Sequence, residues 1–533
     1  MKKLITILFC GVLLMAVPGC QSADMKKNSS LNSDVAINNQ KSFDKTDIEN
    51  YSFKNRESYT EPSINFYIDS DSRLWIWRSN CFDRVTGDFI NTETKPQIVI
   101  NDAVDIIENG ENPYLLKKDK SLWKLSFLEN NNVSYIKILE NVKYAEDSFA
   151  ITENDDLYLL DYNPKLISDI GVKYEQEGEP VKILDDIVYA DITGRTSFAI
   201  DKDGNLWSWG YNTGIELGQN NDYIESAAPK TILDNVKTIV RSYDRGDPTI
   251  YAIKTDNTLW AWGNNKYGAV GNGTTEGSNV PVKIMDDVKD VIAAAVGDGS
   301  FETYSFAYAL KIDGTLWSWG YNGEGEAGNG TTENVLSPVK ILDDVAEIQK
   351  DNSLNISYVL KEDGSLWGWG LNYYGQLGNG TTENVLEPIK IMDNVKSYEP
   401  YYEALYVIKE DGTLWGSGLN ISYFIGEEST LKFVSLMDDI KNINKIDDIV
   451  FAIGNDGSLQ ICGCGNVTFI DSERKTMSYI DKNEILDNVK WIDGYVNTMF
   501  AMTYNGELYC FIADEIEKEK ILFTEPCKIE FEE

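Results

Sequence analysis

Pairs of aspartate stand at 185/186, 286/287 and 343/344, each closing a "KIL" or "KIM" run. Two adjacent carboxylates are the group set of acid–base catalysis on glycosides, where one is held protonated and the other ionised. A catalytic pair is needed once, whereas this one returns at the same place in unit after unit. Turns are therefore the expected role. The stretch "DKDG" at 201–204 has the look of a calcium loop, but its sister stretches read "KIDG", "KEDG" and "GNDG" and hold too few acids for a cation cage. Tryptophan pairs such as Trp207 and Trp209 suit sugar stacking, yet their regular spacing assigns them to packing between units. The chain contains no histidine, which excludes Ser-His-Asp and Cys-His nucleophile systems, histidine bases and histidine metal ligands. Beyond Cys10 and Cys20, the cysteines are Cys81, Cys462, Cys464, Cys510 and Cys527, with no CxxC spacing. In "CGC" strand alternation points both thiols the same way, which allows a disulfide and disfavours zinc. No catalytic residue, metal or cofactor is assigned, and an enzyme is not expected.

The elements that carry these residues repeat. An apolar strand, a turn and a Leu-aromatic strand recur in "FAIDKDGNLWSWG" (198–210), "YAIKTDNTLWAWG" (251–263), "YALKIDGTLWSWG" (308–320), "YVLKEDGSLWGWG" (358–370) and "YVIKEDGTLWGSG" (406–418). Five weaker copies make ten, anchored at Trp75, Trp123, Tyr158, Trp207, Trp260, Trp317, Trp367, Trp415, Gln460 and Tyr509. Two period-2 runs around Asp-Gly or Asn-Gly are the signature of a tight hairpin, since these residues accept positive φ. A second hairpin is expected between copies, as in "PVKILDDVAEIQ" (338–349), with its Asp-Asp at the turn. Each unit then holds about four short antiparallel strands, and repeated units of this kind predict an all-β propeller of four-stranded blades. The first unit lacks a preceding "PxKI" strand and the chain finishes on "EPCKIEF" (525–531), so the last strand is expected to complete the first blade.

The loops that follow the hairpins read "WGYNTGIELGQ" (209–219), "WGNNKYGAVGNG" (262–273), "WGYNGEGEAGNG" (319–330) and "WGLNYYGQLGNG" (369–380). They resemble the repeat of the regulator of chromosome condensation family, strongly over 198–418 and loosely elsewhere. That resemblance implies a propeller, usually of seven blades. A seven-bladed ring from Trp207 onward with an N-terminal extension, or one larger ring, both fit ten anchors. The family's prototypes exchange nucleotide on a small nuclear GTPase and touch chromatin, and a similar bacterial propeller inhibits a secreted β-lactamase. The first role does not suit this chain; the second suggests a scaffold that can act as an inhibitor.

Charge and the N-terminus supply the setting. With 48 Lys plus Arg against 86 Asp plus Glu the net charge is −38, which disfavours nucleic acid and anionic lipid and favours a basic partner. "MKK", then the uncharged run "LITILFCGVLLMAV", then "VPGC" read as a secretory signal (1–19) ending in a lipobox, too short for a membrane span. Cys20 is the expected lipid attachment site, and loss of Lys2 and Lys3 would take the charge from −38 to −40. Residues 20–60 are polar and read as a flexible tether, and 61–533 as the repeat array. A membrane-anchored, extracytoplasmic, monomeric binding protein follows, with a protein partner. A glycan-binding propeller or a carboxylate-based glycan hydrolase is the alternative. Recognition should sit where units differ, in "RSYDRGDPT" (241–249), "GDGSFETYS" (297–305), "KDNSLNIS" (350–357) and "YEPYYEA" (398–404). Asp298, Glu302 and Tyr304, with Tyr398, Tyr401 and Tyr402 two repeats later, are the candidate partner-binding residues. The "GNGTTENV" loops are expected on the opposite face.

Overall fold

The computed structural model describes most of residues 52–529. The longer stretches outside it are 1–51, 57–62, 83–88, 91–96, 108–112, 128–132, 161–178, 221–226, 243–247, 298–302, 349–355, 420–429, 471–475 and 530–533. All regular elements among the described residues are strands. They form ten antiparallel blades in chain order, nine as four-stranded sheets and the tenth within a seven-stranded sheet, the propeller that the repeats predict. Blades 1 to 5 span 52–100, 103–139, 142–184, 187–233 and 236–285; blade 6 spans 288–342; blades 7 to 10 span 345–392, 395–437, 440–486 and 489–528. The three weak N-terminal repeats thus fold as blades of the same kind as the others. The chain divides into two compact units, residues 1–305 with 531–533, and residues 306–530.

Within a blade the second and third strands are the predicted hairpin. In blade 7, Ile356–Lys361 pairs with Leu366–Gly370, and Gly364 takes a φ of 78° where the chain reverses. The anchor tryptophan is tied to that turn. Trp367 Nε1 donates to Ser365 Oγ at 2.9 Å, and Ser365 donates to Asp363 Oδ1 at 2.5 Å. The Lys361 ammonium lies 4.9 Å from the Trp367 ring centre. The same relay links Trp260, Thr258 and Asp256, and Trp415, Thr413 and Asp411. In blade 9 Gln460 replaces the indole and donates to Ser458 at 2.9 Å. These half-buried rings are therefore turn fasteners.

The second tryptophan of each strong repeat packs between blades. Trp209, Trp262, Trp319 and Trp369 are buried, and each apolar cluster draws on two neighbouring blades. Phe198, Ile200 and Leu206 of blade 4 meet Val236, Ile250 and Trp262 of blade 5. Trp262 Nε1 donates to the Glu216 carbonyl of blade 4 at 2.8 Å.

The Asp-Asp segments are not hairpins. In "PVKILDDVAEIQ" the strand Val335–Leu342 is the fourth of blade 6 and Val345–Ile348 the first of blade 7, so Asp343 and Asp344 cross between sheets. Asp344 has a φ of 60°. This crossing stitches the blades together: Val345 N donates to the Gly314 carbonyl at the blade 6 hairpin tip (3.0 Å), and Glu362 N at the blade 7 tip donates to the Asp344 carbonyl (3.1 Å). Lys340 reaches the Asp343 carboxylate at 2.5 Å. The pattern recurs at Ile187 and Val236 in the first unit and at Val395, Ile440 and Val489 in the second. The chain end also differs from expectation. Ser52–Arg56 supplies the first strand of blade 1, while Cys527–Lys528 pairs with Leu508–Glu517 inside blade 10.

Candidate interaction face

Four antiparallel strands have a simple consequence. The first-to-second and third-to-fourth connections emerge at one end of a blade, and the hairpin tip and crossing turn at the other. The "GNGTTENV" loops thus share an end with the variable segments, which overturns the expected opposite placement. Asn264 N donates to the Pro248 carbonyl at 3.2 Å and Leu419 N to the Glu403 carbonyl at 2.9 Å, joining the two kinds of connection within blades 5 and 8.

A buried asparagine builds each strong loop. Asn372 is fully buried; its Oδ1 accepts from Leu377 N at 3.0 Å, and its Nδ2 donates to the carbonyls of Thr381 (3.0 Å) and Glu383 (3.1 Å). Asn322 does the same with Ala327 N, Thr331 O and Glu333 O. Six residues after the asparagine the backbone turns against the next blade. At Gly328 (φ 66°) an added Cβ would lie 2.8 Å from Trp369 Nε1, which is why the position takes glycine. In blade 8 Ser417 stands where the second tryptophan stands elsewhere. Its hydroxyl donates to the Gln376 carbonyl at 2.7 Å, just as Trp369 Nε1 donates to the Glu326 carbonyl at 2.8 Å.

On this frame the loop end displays tyrosines. Tyr373 is 70% exposed, and its ring lies 5.2 Å from Tyr374. Tyr304 is half-buried with its ring 5.1 Å from Tyr267 of the preceding blade, and the Lys266 ammonium lies 5.2 Å from the Tyr267 ring. Tyr398 lies in the strand Val395–Pro400, half-buried, and donates its hydroxyl to the Tyr358 carbonyl at 3.2 Å. Burial pushes that phenol well above its usual range. Tyr401 is half-buried, with its ring 5.7 Å from Tyr406 and packed on the cluster between blades 8 and 9. Asp298, Glu302, Tyr402 and Cys20 lie outside the described residues, as does Cys464 of the "CGC" pair. Composition alone singled out Tyr398 and Tyr401. Tyr267, Tyr373 and Tyr374 were passed over although they fill the two variable positions of the Trp-Gly-x-Asn-x-x-Gly loop.

The fold and these loops define a repeat propeller whose variable chemistry sits on one end. Residues 256–300, 313–351 and 363–398 match the model of the regulator of chromosome condensation (RCC1) repeat. It is similar to human E3 ubiquitin-protein ligase HERC2, 31% identical over 182 residues, 34% of this chain and 4% of HERC2. It is also similar to the Arabidopsis thaliana ultraviolet-B receptor UVR8, 27% identical over 143 residues, 27% of this chain and 31% of UVR8. The chain thus spans a small part of these relatives. Among solved structures, human WBSCR16 aligns with a TM-score of 0.37 and 17% identity, covering 68% of this chain and 87% of that one. Yeast RCC1 (Prp20) bound to Kap60 aligns with a TM-score of 0.34 and 19% identity, covering 65% and 75%.

Proposed function

We propose that this chain is a protein-binding β-propeller, held at the extracytoplasmic face of a cell membrane by a lipid on Cys20, which reads its partner with the loop end of its blades. The observation that carries this is the division between the two ends. At the turn end, backbone groups of successive blades bond to one another, and the repeated sequence leaves little to distinguish one partner from another. At the loop end, rigid asparagine-built loops present side chains that differ from blade to blade, with Tyr373 the most exposed aromatic among the described residues. Tyrosine is a preferred contact residue in protein recognition because it offers large area with few torsions. The charge of −38 favours a basic partner and binding that weakens as salt rises.

A photo-crosslinking residue at Tyr373, compared with one at Asp363 on the turn end, tests this in native membranes. A discrete adduct from position 373 and none from 363 is expected; the reverse would place recognition at the turns. The anchor is tested separately with Cys20→Ala, which should leave the chain unlipidated and released from membranes. A normally processed, membrane-bound variant would end that part of the proposal. A glycan ligand is the second reading, favoured by the exposed Tyr373 ring, and a glycan array with Tyr373→Ala as control separates it.

A further inference from the structure

Three of the strong loops share one local sequence. "GNGTTE" runs at 271–276, 328–333 and 378–383, and each copy holds an Asn-Gly pair. An asparagine followed by glycine can modify itself: the glycine nitrogen, unhindered by a Cβ, attacks the side-chain Cγ and closes a five-membered imide. With the sequence around the pair the same, a difference in reactivity among the three must come from the fold. The electrophile is prepared alike in all of them. Asn272 Oδ1 accepts from Asn265 Nδ2 at 3.1 Å, from Thr274 N at 3.1 Å and from Thr274 Oγ1 at 2.9 Å. Asn329 Oδ1 accepts from Asn322 Nδ2 and from Thr331 N and Oγ1, and Asn379 Oδ1 from Asn372 Nδ2 and from Thr381 N and Oγ1. Donors at that oxygen stabilise the negative charge it takes on when its carbon is attacked.

The nucleophile is not alike. Gly330 N donates to the Leu386 carbonyl at 2.8 Å and Gly380 N to the Leu431 carbonyl at 2.7 Å, so the fourth strand of the next blade holds each nitrogen. Gly273 N has no acceptor among the described residues, and Asn272 and Gly273 are both exposed. The other two Asn-Gly pairs among the described residues are closed. Asn322 is fully buried, with its Nδ2 donating to the Thr331 and Glu333 carbonyls, and Gly506 N donates to the Thr503 carbonyl at 3.1 Å.

We propose that Asn272 is a self-modification site, at which the blade 5 loop converts its asparagine to aspartate or isoaspartate. Gly273 N bonds to Asn272 Cγ and gives up its proton; the Cγ–Nδ2 bond breaks and Nδ2 leaves as ammonia. Water then opens the imide at either carbonyl. One amide becomes one carboxylate, so the loop gains a negative charge, and by the isoaspartate route its main chain grows by one carbon atom. This holds whatever the loop end binds. The test ages the full-length chain in mildly alkaline buffer at body temperature and follows the three loop peptides by mass spectrometry, with aspartate and isoaspartate separated by chromatography. Asn272 should convert about fivefold or more faster than Asn329 and Asn379, because a held N–H must first leave its acceptor. In denaturant the three rates should converge, since only the fold separates them. Asn272→Gln, whose extra methylene would demand a larger ring, should abolish the mass gain in its peptide. The proposal is overturned if Asn272 does not convert, or if Asn329 or Asn379 keeps pace with it in the folded chain. It is also overturned if the lead of Asn272 persists in denaturant, or if Asn272→Gln leaves the mass gain in place.

Discussion

Glu326→Gln should remove a pH dependence of stability that the wild type carries between about pH 4.5 and 7. Glu326 has no solvent exposure. Its backbone carbonyl accepts from Trp369 Nε1 at 2.8 Å and from the Tyr308 hydroxyl, so the residue sits at the joint between blades 6 and 7. Of the carboxyl oxygens, Oε2 accepts from Glu324 N at 2.9 Å, and Oε1 is buried with no hydrogen-bond partner. One repeat later Gln376 occupies the same position, its Oε1 accepting from Tyr374 N at 3.0 Å. An amide fits this site; a carboxylate leaves a negative oxygen facing no donor. Burial, reinforced by the nearby Glu324 charge against two backbone N–H groups, pushes the Glu326 carboxyl up from 4.5 to about 7. The folded state therefore holds a proton that the unfolded chain releases. Stability is full below pH 4.5, falls as pH rises toward 7, and is flat beyond it. A shift of about 2.5 units corresponds to about 3 kcal/mol. Chemical denaturation of wild type and Glu326→Gln across pH 4 to 8 reads the difference: the variant should gain about 3 kcal/mol relative to wild type between the two ends. A difference that stays flat with pH, or that shrinks as pH rises, would refute a protonated Glu326.

Two further perturbations probe the loops. Gly378 (φ 63°) faces the Phe433 ring, whereas Gly364 (φ 78°) in the hairpin tip has open space around an added Cβ. Gly378→Ala should cost about 2–4 kcal/mol by strain and overpacking together, and Gly364→Ala about 1 kcal/mol by strain alone, measured by thermal and denaturant unfolding; equal costs would contradict the packing role. Asn372→Ala strips the acceptor from the buried Leu377 N–H and the donors from the Thr381 and Glu383 carbonyls and should cost about 2 kcal/mol or more, with Leu377 losing amide-exchange protection; a loss below about 1 kcal/mol would mean the loop holds itself.

The hairpins and their ten anchors were legible in the sequence because each rests on contacts within a dozen residues; whether all ten units fold as equivalent blades was left open between seven and more, because that depends on packing between units. The crossing at Asp343 and Asp344 was not legible. A two-residue turn with φ of 60° looks the same whether the strands beside it pair or enter different sheets, and sheet membership is decided by the core cluster each strand joins. The terminal strand misled for a related reason: "EPCKIEF" has the right wording for a fourth strand, but Ser52–Arg56, with no such wording, already completes blade 1. The shared end of the two loop classes was available from strand parity alone. Burial of Tyr398 and Tyr401 was not available, since a phenol that packs and one that recognises a partner have the same composition.

Repetition and variation divide this molecule by physical task. A group that closes a joint between identical neighbours must recur, and the crossing aspartates, the Ser/Thr relays and the buried second tryptophans all do. Each is tied into the frame: Trp367 Nε1 to Ser365 Oγ, the Asp344 backbone carbonyl to Glu362 N, and Trp369 Nε1 to the Glu326 carbonyl. A sugar-stacking platform built from the buried second tryptophans would have to break a joint to work. Departures from the repeat carry no such obligation, but they must still satisfy the joint they occupy. Ser417 does so by keeping the donor that a tryptophan supplies elsewhere, with Phe433 lying against the same loop. Glu326 keeps the backbone acceptor and holds a proton to remain there. Tyr373 faces no joint at all, and that freedom is the physical reason for looking to it for recognition.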